Sequence, residues 1–213
     1  MPKSKPWKKR GKGRGSERAR QRRRVLIYCE DSKSSADYLR SFRIDPRRVE
    51  VRVVGTGRNT DSLVESAIAA KNKALKLKTP YSEVWCVFDR DSFPMENYAR
   101  AFELAHSNTI RIAWANEAFE LWYLLHFDYF DAAISRNDYA KKLLERGLKY
   151  DKADKGVYGK IRTNQETAMR NAARLKRHWE ESGRKFPERE NPSTSVHTLV
   201  EFLNELVDLG KVD

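Results

Sequence analysis

Cysteine is scarce: Cys29 and Cys86 are the only two in 213 residues, and each sits inside an apolar run. Two cysteines cannot staple a small secreted scaffold, so a disulfide framework is excluded and a reducing, cytoplasmic setting is expected. In such surroundings a free thiol behaves as a small hydrophobe, and a redox pair is the sharper alternative. No apolar run approaches the length of a membrane span. The basic N-terminus is not followed by the apolar segment of a secretory signal. Neither a membrane nor a secreted class is expected.

Acidic residues are missing from one place in particular. Residues 1–24, MPKSKPWKKRGKGRGSERARQRRR, hold twelve Lys or Arg and one acid, Glu17. That stretch carries nearly all of the net charge of +13, so the remainder is close to neutral. With Trp7 as its single aromatic it cannot bury enough apolar surface to offset the entropy of ordering, and a disordered tail is expected over 1–24. Such an arm lies naturally along phosphates, with Arg22, Arg23 and Arg24 at its inner end as nucleic-acid contacts. The plainer alternative is a solvated solubility tail.

Beyond residue 24 the hydrophobic pattern becomes regular. The runs VLIYC (25–29), VEVRVVG (49–55), EVWCVF (83–88) and IRIAWA (110–115) read as strands. Between them, 34–42, 60–78 and 95–107 have helical spacing, with Ser62 and Glu65 at capping-box distance. The β-α-β-α-β-α-β order predicts an α/β fold: a parallel sheet of about four strands with helices on both faces. From 117 onward, EAFELWYLLHF and the stretches near 137–147, 163–180 and 195–209 are helical. Thr163 and Glu166 form a second capping-box pair, and no further strand is expected. The division is thus a tail (1–24), an α/β core (25–127) and a helical C-terminal part (128–213) packed on it.

The run EVWCVFDRDSFP (83–94) frames the functional question. An apolar strand ends in two carboxylates, Asp89 and Asp91, one residue apart. In open parallel sheets, sites form beyond the carboxyl ends of the strands. Glu30 comes directly after the first strand at the same edge. Three converging carboxylates need positive charge between them, and an all-oxygen set suits Mg²⁺ or Mn²⁺. The alternative is a group of loop acids that cap helices or pair with Arg58 and Arg90.

Five segments in order, CED (29–31), VVGTGRNTDSLVESA (53–67), VWCVFDRDSFP (84–94), NEAFELWYLLHF (116–127) and NPSTSVH (191–197), resemble the RloB-like proteins. These are Toprim-type domains of bacterial and archaeal restriction and defence loci, and the resemblance spans roughly residues 24–205. It implies a Toprim-like fold with Glu30, Asp89 and Asp91 binding Mg²⁺, the Glu in general acid or base work. Asp31 stands where family members often have Gly. The resemblance also implies a companion ATPase and a role in anti-phage defence.

Other residues complete the candidate set. Glu117 and Glu120 lie three apart after the fourth strand and can add a carboxylate to the same rim. Glu120 is flanked by Phe119 and Leu121, where a purely solvated acid is out of place. GTGRNT (55–60) places two glycines and Arg58 ahead of a helix, and Arg58 is a candidate phosphate contact. His126 reads first as a satisfied core histidine. His197, at a helix start after NPSTS, is a candidate general base that the helix dipole keeps neutral. The expected function is a Mg²⁺-dependent nuclease acting on DNA or RNA, with Glu30, Asp89, Asp91, Glu120 and His197 as its catalytic residues. A nucleotidyl- or phosphoryl-transfer enzyme with the same acids, or a non-catalytic nucleic-acid-binding subunit, stand as alternatives.

Overall fold

The computed structural model describes residues 22–57, 60–90, 95–184 and 186–209. The basic tail up to residue 21, Arg58 and Asp91 lie outside the described residues. Four parallel strands form as expected: β1 (Arg23–Cys29), β2 (Val49–Gly55), β3 (Glu83–Asp89) and β4 (Arg111–Asn116). Three helices connect them, α1 (Ser34–Arg40), α2 (Thr60–Lys76) and α3 (Met95–Ser107). The C-terminal part supplies α4 (Glu120–Leu124), α5 (Tyr139–Glu145), α6 (Val157–Ile161), α7 (Gln165–Glu181) and α8 (Val196–Asp208).

Alternation along the strands divides the interior into two cores, because successive side chains point to opposite faces. Val25, Ile27 and Cys29 of β1 join Trp85 and Val87 of β3 on one face, with α1 and the C-terminal helices. Leu26, Val84, Cys86 and Phe88 face the other way, against α2 and α3. β3 is apolar from Val84 to Phe88 because it is central and covered on both sides. The two thiols fall on opposite faces of the sheet, which removes the redox pair. Burial pushes the Cys29 thiol up to about 12.

Several expectations are corrected. Order begins at Arg23, not Val25, and Arg23 and Arg24 are both engaged. Arg24 pairs with Glu50 at 3.1 Å and its guanidinium lies 4.5 Å from the centre of the Tyr81 ring. Arg23 lies over Phe202, 5.3 Å from the ring centre. Neither is the free inner end of an arm. A fifth strand, β5 (Ser193–Thr194), pairs antiparallel with Ala115 and Asn116 of β4, giving the order β2-β1-β3-β4-β5. Helix α2 starts at Thr60, so Ser62 lies within its first turn rather than ahead of it. Helix α7 starts at Gln165 after a 3-10 turn containing Thr163, and no side-chain bond caps it. The apolar 117–127 segment is helical only over Glu120–Leu124. Among the described residues no helix is long and apolar enough to cross a membrane.

Candidate functional site: an acidic rim at the switch point

The chain leaves β1 towards β2 on one side and leaves β3 towards β4 on the other. Adjacent strands whose connections diverge leave a crevice at their carboxyl ends. The two residues that border it are Glu30 and Asp89. The Glu30 backbone N–H donates to Val87 O at 2.9 Å, carrying the β1–β3 ladder one step past β1. The Asp89 backbone N–H in turn donates to Glu30 Oε2 at 3.2 Å. Two acids 59 positions apart are thereby joined in one hydrogen-bonded unit.

Close backbone approach shapes the neighbouring loop. Gly57 N–H donates to Glu30 O at 2.8 Å, with Gly57 in the left-handed region at φ +63°. A Cβ at Gly55 would lie 2.4 Å from Ser32 Cα. The end of β2 and the turn leaving β1 therefore touch backbone to backbone, which only glycine permits.

The rim carries more acids than these two. Asp31 lies 3.7 Å from Lys152 through Oδ1, and its buried Oδ2 has no hydrogen-bond partner. Asp89, buried, meets Arg136 Nη2 at 3.4 Å, and the Arg136 backbone N–H donates to Glu117 Oε2 at 2.6 Å. Glu120 is 6 % exposed. Its Oε1 accepts from Ser34 Oγ at 3.0 Å and from the Tyr150 hydroxyl. Burial, then the charge of Glu120, pushes the Tyr150 phenol well up. Tyr139, buried beneath the rim, lies within electrostatic reach of Asp89, Glu120 and Glu117, and burial raises its phenol too.

Glu30 thus meets the Asp89 backbone, Arg136 links Asp89 to Glu117, and Glu120 is held by Ser34 and Tyr150. Among the described residues no group of three His, Cys, Asp or Glu is close enough to share one ion; Asp91 lies outside them. The donors that are present suit a hard divalent cation. They are carboxylate oxygens, Glu30 is held against the Asp89 backbone, and Asp31 offers an unpartnered oxygen.

A family model for RloB-like proteins matches residues 25–203. The chain belongs to the RloB-like family. Comparison with curated proteins and with solved structures finds no match. In this RloB-like chain the matched region runs from β1 into α8, so the C-terminal helices are part of the family unit.

Two histidines are placed away from the rim. His126 is a core residue: its Nδ1 bonds Trp122 O at 2.8 Å and its ring packs on Trp122 and Tyr38. Burial pushes it down to about 4. His197 does not join the acids. Ser195 Oγ accepts from Trp114 N–H at 3.1 Å, and the chain then runs back along β4, away from Asn116. His197 lines a cavity beside the edge of β4 with Arg111, Ile112 and Trp114, and none of the rim acids lines it. It is not placed to act as a base there. Four rim residues had no signal of their own in the sequence: Ser34, Arg136, Tyr150 and Lys152. The last two fall in the lysine-rich 137–161 stretch, whose pattern reads equally as a solvated face.

Proposed function

We propose that the chain is a divalent-metal-dependent nuclease whose centre is the acidic rim at the switch point. The observation that carries this reading is the Glu30–Asp89 unit, in which the Asp89 backbone N–H holds the Glu30 carboxylate at 3.2 Å where the connections of two adjacent parallel strands diverge. Glu30, Asp89 and Asp91 would hold Mg²⁺ or Mn²⁺, with Asp31 as a further oxygen donor. When bound, the ion supplies charge compensation for a phosphodiester and makes water more acidic. The chain's own groups set the rest. Arg136 and Lys152 are half-exposed cations beside Asp89 and Asp31, placed to receive phosphate oxygens. Glu120 has one oxygen committed to two hydroxyl donors, so it acts as a positioning group that fixes Ser34 and Tyr150. The basic tail adds sequence-independent attraction for nucleic acid. Family membership supports an anti-phage setting with a companion ATPase.

The Arg136–Asp89 contact favours a second reading, in which a guanidinium satisfies the rim and the chain binds nucleic acid without cutting it. One experiment separates the two. Purified protein and Asp89→Asn are incubated with Mg²⁺ or Mn²⁺ and plasmid, oligonucleotide or total tRNA, and affinity is measured in chelator. A nuclease loses on the order of 10²-fold or more of its turnover in the variant, while affinity in chelator holds. Equal cleavage by both proteins under saturating metal rules out Asp89 as a ligand. Absence of cleavage by the wild type on every substrate leaves the binding reading.

A further inference from the structure

Beside the edge of β4, a cavity of about 350 Å³ opens between β4, α7 and the start of α8. It exists because β5 is only two residues long. β5 covers Ala115 and Asn116 and leaves the Arg111 end of β4 without a strand neighbour on that side. Three of the five tryptophans in the chain line it: Trp85, Trp114 and Trp179. Trp179 is pinned, its Nε1 donating to Pro192 O at 2.9 Å.

The polar groups of this cavity are unusual in what they lack. The indole N–H groups of Trp85 and Trp114, Ser193 Oγ and His197 Nδ1 are all buried without a hydrogen-bond partner. Trp85 and Ser193 are each 1 % exposed and His197 8 %. Buried polar atoms are ordinarily paired; the Trp114 indole packs on Phe102 on the other face of the sheet, and the three remaining orphans, on Trp85, Ser193 and His197, point to a missing partner at this cavity. An indole N–H can only donate, so that partner is rich in acceptors. Two cations, Arg111 and Lys176, stand at the same cavity with roughly half-exposed side chains; each has a loose carboxylate neighbour outside the lining, Glu83 at 3.9 Å and Glu180 at 3.7 Å, which an incoming anion would have to displace. The volume lies within the range of small-molecule sites.

We propose that this cavity binds a nucleoside monophosphate, its planar base against the indoles of Trp85 and Trp179, which belong to the same core, and its phosphate with Arg111 and Lys176. Indole faces stack on any base, and donor-only edges meet ring and carbonyl acceptors. Arg111 already lies over Trp85, its guanidinium 4.2 Å from the ring centre, which holds that cation in place. The site is separate from the acidic rim and needs no metal.

Calorimetric titration of the full chain in chelator tests it, with AMP, GMP, CMP and UMP as ligands and with inorganic phosphate and adenosine as controls. At least one nucleotide binds tenfold or more tightly than either control. Lys176→Gln and Arg111→Gln, both at roughly half-exposed positions and compared at temperatures where melting shows each variant folded, each weaken binding at least several-fold. Asp89→Asn leaves the affinity as it was, so failure of this site and failure of the nuclease reading are distinguishable. Three results overturn the proposal: no heat with any of the four nucleotides at millimolar concentration, phosphate binding as tightly as the nucleotides, or affinity untouched by both cavity substitutions.

Discussion

His126 makes acid stability calculable. An unfolded histidine titrates near pH 6.5, whereas burial among Trp122, Tyr38 and the α4 backbone pushes His126 down to about 4. The folded chain therefore keeps the ring neutral where the unfolded chain has taken a proton. Stability from this site is whole above about pH 6.5. It falls as pH drops from there to about 4, because the unfolded state binds the extra proton. At about 1.36 kcal/mol per pH unit, the loss by pH 5 is about 2 kcal/mol. His197, also pushed to about 4, by burial and then by Lys176, adds a similar loss. Together they remove about 4 kcal/mol, a large share of a domain's ordinary stability of roughly 5–15 kcal/mol. The assay is urea unfolding of wild type and His126→Asn at about pH 7.5 and about pH 5. The Asn amide can stand in for the Nδ1–H donor to Trp122 O, and the lost volume costs the same at both pH values. The wild type should lose about 2 kcal/mol more than the variant across that interval. Equal losses would refute a neutral, buried His126.

Single contacts set the remaining expected outcomes. Tyr150→Phe removes one of two donors to the buried Glu120 carboxylate and should cost about 1–3 kcal/mol in chemical denaturation; an unchanged midpoint would mean that water replaces the hydroxyl. Gly55→Ala places a methyl 2.4 Å from Ser32 Cα, so the turn that carries Glu30 must shift. A melting temperature lowered by several degrees is expected, with lower turnover in the proposed nuclease assay, and a wild-type melting temperature would contradict the contact. Deleting residues 1–21 spares β1, which starts at Arg23. It should leave the melting temperature in place while weakening nucleic-acid binding and flattening its salt dependence. Unchanged affinity at ~0.15 M salt would reduce the tail to a solubility device.

Legibility tracked how local each feature is. The run 84–88 could be read because β3 is covered on both faces, so every residue is apolar until the strand reaches the rim. Its first acid is therefore also its end marker, and Glu30 is marked in the same way by VLIYC. β5 could not be read: Ser193 and Thr194 carry no alternation. They become a strand because β4 has unpaired edge groups, and Ser195 N–H then bonds Trp114 O at 3.0 Å. Arg23 and Arg24 blended into a basic tail because composition cannot register that Glu50 and Tyr81 await Arg24. The capping-box pairs at Ser62 and Thr163 were misleading for a related reason. Each helix begins where tertiary packing sets its first turn, not where the local motif would put it.

The same distinction separates the two sites. The rim sits where strands end, and the strand ends of a parallel sheet are set by hydrophobic patterning and right-handed crossovers alone. Ser34, Glu120 and Tyr150 meet there across 86 and 116 positions of sequence, so their acid was visible as an oddity among apolar neighbours while its partners were not. The tryptophan cavity depends on an omission, a β5 too short to cover the β4 edge, together with side chains from β3, α7 and α8. Each residue has an ordinary local explanation: Trp85 as core, Lys176 as a helix surface charge, His197 as a helix start. Only their assembly leaves Trp85, Ser193 and His197 with unpartnered polar atoms at one cavity. A rim that can be found from strand ends and a cavity that can be found only from unsatisfied donors respond to different substitutions, which is why Asp89→Asn and Lys176→Gln should separate cleavage from nucleotide binding in one chain.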